Sequence, residues 1–116
     1  STRVELRSPD PSCNPYLLLA LVLRAGLDGI QRGLTPPDPV DGNIYHMSED
    51  ERIERKVGNL PGTLDEALEE MIMDPLIRET LGDHVFNKYA TAKRLEFDQY
   101  RVQVHQWEVD KYLTQY

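Results

Sequence analysis

Arg3, Glu5 and Arg7 alternate with Val4 and Leu6 before the chain runs into Ser8-Pro9-Asp10-Pro11. In an extended strand successive side chains point to opposite faces, so this spacing sets a carboxylate between two guanidiniums and sends Val4 and Leu6 toward a core. A carboxylate oxygen suits Mg²⁺ or Mn²⁺, and the guanidinium fork matches carboxylate or phosphate oxygens in pairs. Glu5 is therefore a candidate metal ligand flanked by two anion clamps, Arg3 and Arg7. The same pattern also describes the self-neutralised outer face of an edge strand, which discourages edge-to-edge pairing. Exposed ion pairs of that kind contribute little energy.

The elements that must hold such a strand are marked by helix punctuation. Asn14 followed by Pro15 is an N-cap and first-turn pair. From Tyr16 to Ala25 only Arg24 is polar, which predicts a helix at about 15–32 buried on several sides rather than along one stripe. Gly26 and Gly29 weaken its later turns by roughly 1 kcal/mol each relative to Ala, a cost that makes sense where another backbone passes closely. Gly33 supplies the stop. Residues 35–47 form a loop rich in Pro36, Pro37, Pro39 and Gly42, in which proline forbids helix.

Ser48 with Glu51 reads as a capping box for a short acidic helix, and Thr63 with Glu66 as another for a helix running to about Met73. Asp74-Pro75 restarts a helix that Gly82 ends. A longer helix from about Asp83 sets Phe86, Ala90, Phe97, Tyr100 and Val104 at three- and four-residue steps, with Tyr89 beside them. The closing residues 106–116 are helix-like and aromatic. The fold class is mainly α with a short N-terminal β-strand at 3–7.

Composition narrows the function. A chain of 116 residues supports one core and no more than one ordinary domain. Its net charge of −7 and pI near 4.9 argue against a nucleic-acid or anionic-membrane partner, since those surfaces need clustered Lys and Arg. One cysteine, Cys13, excludes an internal disulfide framework and reads as a small hydrophobe. The apolar run from Tyr16 to Leu23 is too short to span a bilayer, and cytoplasmic localisation is the default expectation. His46, His84 and His105 share no ligand-like spacing with one another or with Cys13, so no zinc site is expected.

The stretch from Arg3 to Ile30 resembles the segment of type I glutamine synthetases in which a charged strand meets a proline-rich turn and a helix opening Asn14-Pro15-Tyr16 and closing Ala25-Gly26-Leu27-Asp28-Gly29-Ile30. The similarity continues through Leu34-Thr35-Pro36-Pro37, Asn43-Ile44-Tyr45, Leu60-Pro61-Gly62-Thr63-Leu64, Gly82-Asp83-His84-Val85-Phe86 and Val104-His105-Gln106-Trp107-Glu108. It covers essentially the whole chain. The family's enzyme is several times longer and α+β, so residues 1–116 are expected to be the carboxyl-terminal portion of its catalytic domain. The absence of an initiator Met, with a start inside a strand, fits that expectation.

The resemblance implies an ATP-dependent glutamate–ammonia ligase that forms L-glutamine through a γ-glutamyl phosphate, in a homododecamer of two hexameric rings. It implies Glu5 as a ligand of Mg²⁺ or Mn²⁺, Arg7 as a contact to glutamate or its phosphorylated intermediate, and Arg3 on the ATP side. No residue is assigned as a catalytic acid, base or nucleophile. This portion alone is expected to be inactive.

Tyr45 falls at the position that some relatives adenylylate, but its setting resembles the subgroup regulated by feedback and partner proteins. It is expected to be unmodified, the simpler reading being a loop tyrosine packed by its ring. The terminal helix is implied to reach the opposite ring, with Trp107, Tyr112, Leu113 and Tyr116 as its bulk; the alternative is that they fold back on their own subunit. Gln106 stands where relatives carry proline, which makes the preceding turn less rigid. The competing functional class is a stand-alone helical interaction module whose charged strand is incidental.

Overall fold

Every regular element in the computed structural model, which describes residues 1–113 and 115, is helical. The helices are α1 (Pro15–Gln31), α2 (Glu49–Glu54), α3 (Leu64–Met73), α4 (Pro75–Tyr100) and α5 (Gln106–Tyr112), with a single 3₁₀ turn at Ile44–His46. Tyr116, assigned from sequence to the terminal anchor, lies outside the described residues.

Local chemistry fixes the helix ends. Asn14 Oδ1 accepts from the backbone N–H groups of Tyr16 (3.0 Å) and Leu17 (3.3 Å), opening α1. At the other end Gly33 takes φ +60°, and Leu34 N–H donates to Gly29 O (3.0 Å) while Gly33 N–H donates to Ile30 O (3.1 Å). This left-handed closure satisfies carbonyls that the last turn leaves open. Ser48 Oγ accepts from Glu51 N–H (3.2 Å) and Glu51 Oε2 accepts from Ser48 N–H (2.9 Å), a complete reciprocal cap on α2. α3 has only half of the expected box: Thr63 Oγ1 accepts from Glu66 N–H (3.2 Å), but Glu66 Oε2 takes the N–H of Gly62 (2.7 Å) one residue further out.

α4 is two helical segments meeting at Gly82, whose φ of 72° and ψ of 154° lie outside the helical region. The second segment runs back along α3, and Arg94 near its end pairs with both Asp65 and Glu69 of α3. Between them sits the core, Phe86 at 1% exposure and Leu68 at 3%. α1 packs against α4 as well, and its Arg24 reaches Glu79 at 3.4 Å, so the one cationic side chain of this largely apolar helix is answered across the contact.

Four expectations are corrected. Residues 3–7 form no strand, and Val4 is 97% exposed instead of entering a core. A strand is held by ladder bonds to a neighbour, and among the described residues no segment lies alongside to supply them. α1 is not buried on several sides: Leu17, Leu18, Leu21 and Arg24 are half-buried toward α4, while Leu19, Leu23, Leu27 and Ile30 face outward. Space is open beside Gly26 and Gly29, so the close backbone approach inferred for them does not come from this chain. Helix α4 stops at Tyr100, leaving Val104 beyond it, and α5 stops at Tyr112.

The radius of gyration is 18.7 Å, against about 13 Å for a compact chain of this length. The chain thus folds locally without closing an interior of ordinary size.

Candidate functional site

Glu5 and Arg7 do come together. Arg7 Nε donates to Glu5 Oε1 at 2.7 Å, with 84% and 59% of the two side chains exposed. A two-residue spacing brings them to one side even without a sheet. Arg3 is exposed and makes no ion pair among the described residues, so the structure gathers two of the three candidate groups.

Glu5 offers hard oxygen donors, which fit a divalent cation such as Mg²⁺ or Mn²⁺. One carboxylate is a fraction of the six or so oxygens such an ion takes. Among the described residues no three His, Cys, Asp or Glu side chains gather to hold a metal. Glu5 thus fits the role of one ligand in a set that other polypeptide must complete.

A hydrogen-bonded corner joins this segment to α1. Asp10 Oδ1 accepts from both the backbone N–H (2.7 Å) and the hydroxyl (2.6 Å) of Ser12, while Asp10 O accepts from Cys13 N–H (3.0 Å). The Ser12 hydroxyl and N–H hold the Asp10 carboxyl below its ordinary range, with a smaller contribution from Lys93.

Behind the corner lies a cleft of about 730 Å³ lined by Asp10, Asn14, Thr63, Tyr89, Lys93 and Phe97, among others. Lys93 Nζ pairs with Glu96 Oε2 at 2.6 Å, and that bond raises its pKa against the opposing effect of burial. Sequence reasoning missed this cleft. The Asp10-Pro11-Ser12 triplet is a readable turn signal, but nothing local announces that Lys93 returns to the same place.

Tyr45 is 98% exposed, which corrects the expectation of a ring packed in its loop. Its N–H donates to Asn43 Oδ1 (3.1 Å) in the 3₁₀ turn, and Arg55 Nη1 donates to Asp41 O (3.0 Å), clipping the loop to the end of α2. In α5, Trp107 stacks edge-on against Tyr112 with centroids 5.9 Å apart, and Leu113 is 73% exposed. Gln106 occupies the first position of α5, where proline also fits, and its Nε2 donates to Asp110 Oδ1 (2.7 Å). No helix is long and apolar enough to cross a membrane among the described residues.

Residues 1–112 match the family model described as glutamine synthetase, catalytic domain. Over 115 residues the chain is 58% identical to a glutamine synthetase of Thermus thermophilus, covering 99% of this chain and 26% of that protein. It is 52% identical over 115 residues to a glutamine synthetase of Clostridium saccharobutylicum, covering 99% and 26%. A glutamine synthetase of Methanosarcina mazei is 50% identical over 113 residues, covering 97% and 25%. The chain therefore spans about a quarter of the length of the curated relatives it matches.

Proposed function

This chain belongs to the glutamine synthetase catalytic-domain family, and from that premise we propose that it is the carboxyl-terminal part of an ATP-dependent glutamate–ammonia ligase. The observation that carries the reading is the juxtaposition of Glu5 and Arg7 within a segment matched along nearly its whole length. In the complete enzyme the γ-phosphoryl group of ATP passes to the side-chain carboxylate of glutamate and ADP leaves. Ammonia then attacks the acyl phosphate carbon, the C–N bond forms, phosphate departs and a proton is lost.

Both steps concentrate negative charge on oxygens, and positioned cationic groups stabilise such charge best. Arg7 holds the carboxylate or phosphorylated carboxylate of glutamate with its planar fork of donors. Arg3 lies on the ATP side. Glu5 would hold one coordination position of a Mg²⁺ or Mn²⁺, and the ion would supply charge neutralisation for the transferred phosphoryl group. In the extended arrangement proposed for the full-length protein, residues 3–7 pair with strands that this chain does not contain.

The isolated chain is inactive on this reading, because it brings a single carboxylate to a metal site that needs several ligands. The enzyme acts in the cytoplasm as a dodecamer of two hexameric rings. The open apolar side chains of α5 and its C-cap suit anchoring in the opposite ring, since Trp107 and the capping Leu113 remain largely exposed on their own chain. Tyr45 is unmodified in this reading, its exposure notwithstanding.

The test is Glu5→Ala in the full-length protein. Metal-dependent turnover falls at least about a hundredfold, in line with the loss of positioned charge stabilisation, while sedimentation shows the same assembly. Near-normal turnover refutes the assigned role of Glu5.

A further inference from the structure

We propose that the Asp41–Gly42 peptide is a site of spontaneous covalent rearrangement, in which Asp41 passes through a cyclic imide to isoaspartate while the second Asp-Gly pair of the chain, Asp28–Gly29, stays intact. The ligase chemistry plays no part in it. Both pairs are evident in the sequence, and it is their surroundings that separate them. Glycine is the residue least able to shield its own amide nitrogen, because no Cβ stands beside it.

In the first step the nitrogen of Gly42 attacks Cγ of Asp41 in its acid form. The new C–N bond closes the imide ring, and the carboxyl hydroxyl leaves as water with the amide hydrogen. Water then reopens the ring. Where it enters at the α-carbonyl carbon, the bond from that carbon to the Gly42 nitrogen breaks, the chain continues through the side-chain carbon, and the former α-carbonyl becomes a free carboxylate. One water is lost and one regained, and no oxidant or cofactor is consumed.

Each reacting group is free at Asp41. Among the described residues its carboxylate makes no hydrogen bond or ion pair, and the N–H of Gly42 has no acceptor. Both residues are exposed, and Gly42 takes φ +130° outside any helix or strand. The bond from Arg55 Nη1 to Asp41 O (3.0 Å) leaves both reacting atoms untouched. It falls on the oxygen that becomes a carboxylate in isoaspartate, so a neutral bond turns charge-assisted in the product. Asp28 is the opposite case: its carboxylate pairs with Arg32 at 3.1 Å, and Gly29 lies inside α1 with its N–H committed to the helix. Residues 35–43 hold three prolines, two aspartates and, as a large apolar side chain, Val40 alone. That composition keeps a segment at a protein surface, unlike the outward apolar face of α1, so the pair stays open in the full-length protein too.

The test is ageing of the folded full-length protein in mildly acidic buffer. Isoaspartate is read by methyl transfer from labelled S-adenosylmethionine with an isoaspartyl methyltransferase, and located by peptide mapping. It is expected to accumulate at Asp41 at least about tenfold faster than at Asp28, since Gly29 must first open from its helix. Asp41→Glu, whose longer side chain would need a larger ring, is expected to remove most of the methyl incorporation. Equal rates at the two sites overturn the proposal, as does label that persists in Asp41→Glu. Isoaspartate that forms at Asp41 only after unfolding in denaturant overturns it as well, because the peptide is then covered in the folded protein.

Discussion

The Arg78 guanidinium stands 4.2 Å from the centre of the Phe86 ring while its Nη1 lies 2.6 Å from Asp83 Oδ1, so one side chain spans the break at Gly82. The ring beneath it is the most buried side chain of the fold. Phe86→Ala removes that ring and leaves a hole between α3 and α4, costing about 3–5 kcal/mol. Among the described residues Leu68 is the one other side chain so enclosed, and the α3–α4 pair melts at room temperature. Thermal unfolding followed by circular dichroism checks this; a midpoint within a few degrees of wild type contradicts it.

Gly82→Ala is expected to destabilise by about 1–3 kcal/mol through backbone strain alone. A methyl group there meets nothing within 4 Å, but φ is +72°. Denaturant titration gives the value directly, and a neutral result would mean that the two segments of α4 can meet in another way.

Gly26→Ala separates local from distant causes. Space is open beside Gly26 in this chain, so Ala stabilises the isolated helix by about 0.8–1 kcal/mol. In the full-length protein the sign is expected to reverse, because the outward apolar face of α1 must meet other polypeptide closely. Equal stabilisation in both contexts would show that no backbone passes there.

Lys56 closes α2 in the left-handed region, with φ 56°, and the bonds Lys56 N–H to Ile53 O (3.1 Å) and Val57 N–H to Arg52 O (2.8 Å) repeat the closure seen at Gly33. A side chain in that conformation costs about 1 kcal/mol relative to glycine. Lys56→Gly is expected to slow exchange of the Val57 amide by about fivefold; faster exchange would contradict the assignment.

The cap on α2 responds to pH in a definite direction. Glu51 is held below its usual carboxyl range by the Ser48 backbone N–H and then by the Ser48 hydroxyl. A carboxyl depressed on folding contributes stability above its unfolded pKa, near 4.3, that is lost as pH falls through the lower folded value. The protection of the Ser48 amide against exchange, relative to an unstructured amide at the same pH, should therefore fall below about pH 4, and Glu51→Gln should remove that dependence.

Legibility in the sequence followed the range of the interactions. The caps at Asn14, Ser48 and Asp74 and the stop at Gly33 depend on residues a few positions apart, and each could be read from type and spacing. Glu5 and Arg7 are two apart, so their meeting survived the loss of the strand that suggested it. The strand did not form because its partners are not local, and α1 was read as enclosed because its composition answers to surroundings this chain does not carry. Lys93 and Asp10 lie far apart in sequence, and only the return of α4 along α3 brings them to one cleft. The ligase reading itself came from ordered resemblance, since Arg-Val-Glu-Leu-Arg alone also describes an ordinary edge strand.

The open, 60 × 42 × 30 Å outline has a hydrodynamic consequence. A single copy of this chain drags more solvent than a sphere of equal mass and elutes early from a sizing column. An early peak is therefore no sign of pairing until light scattering has measured the mass within it.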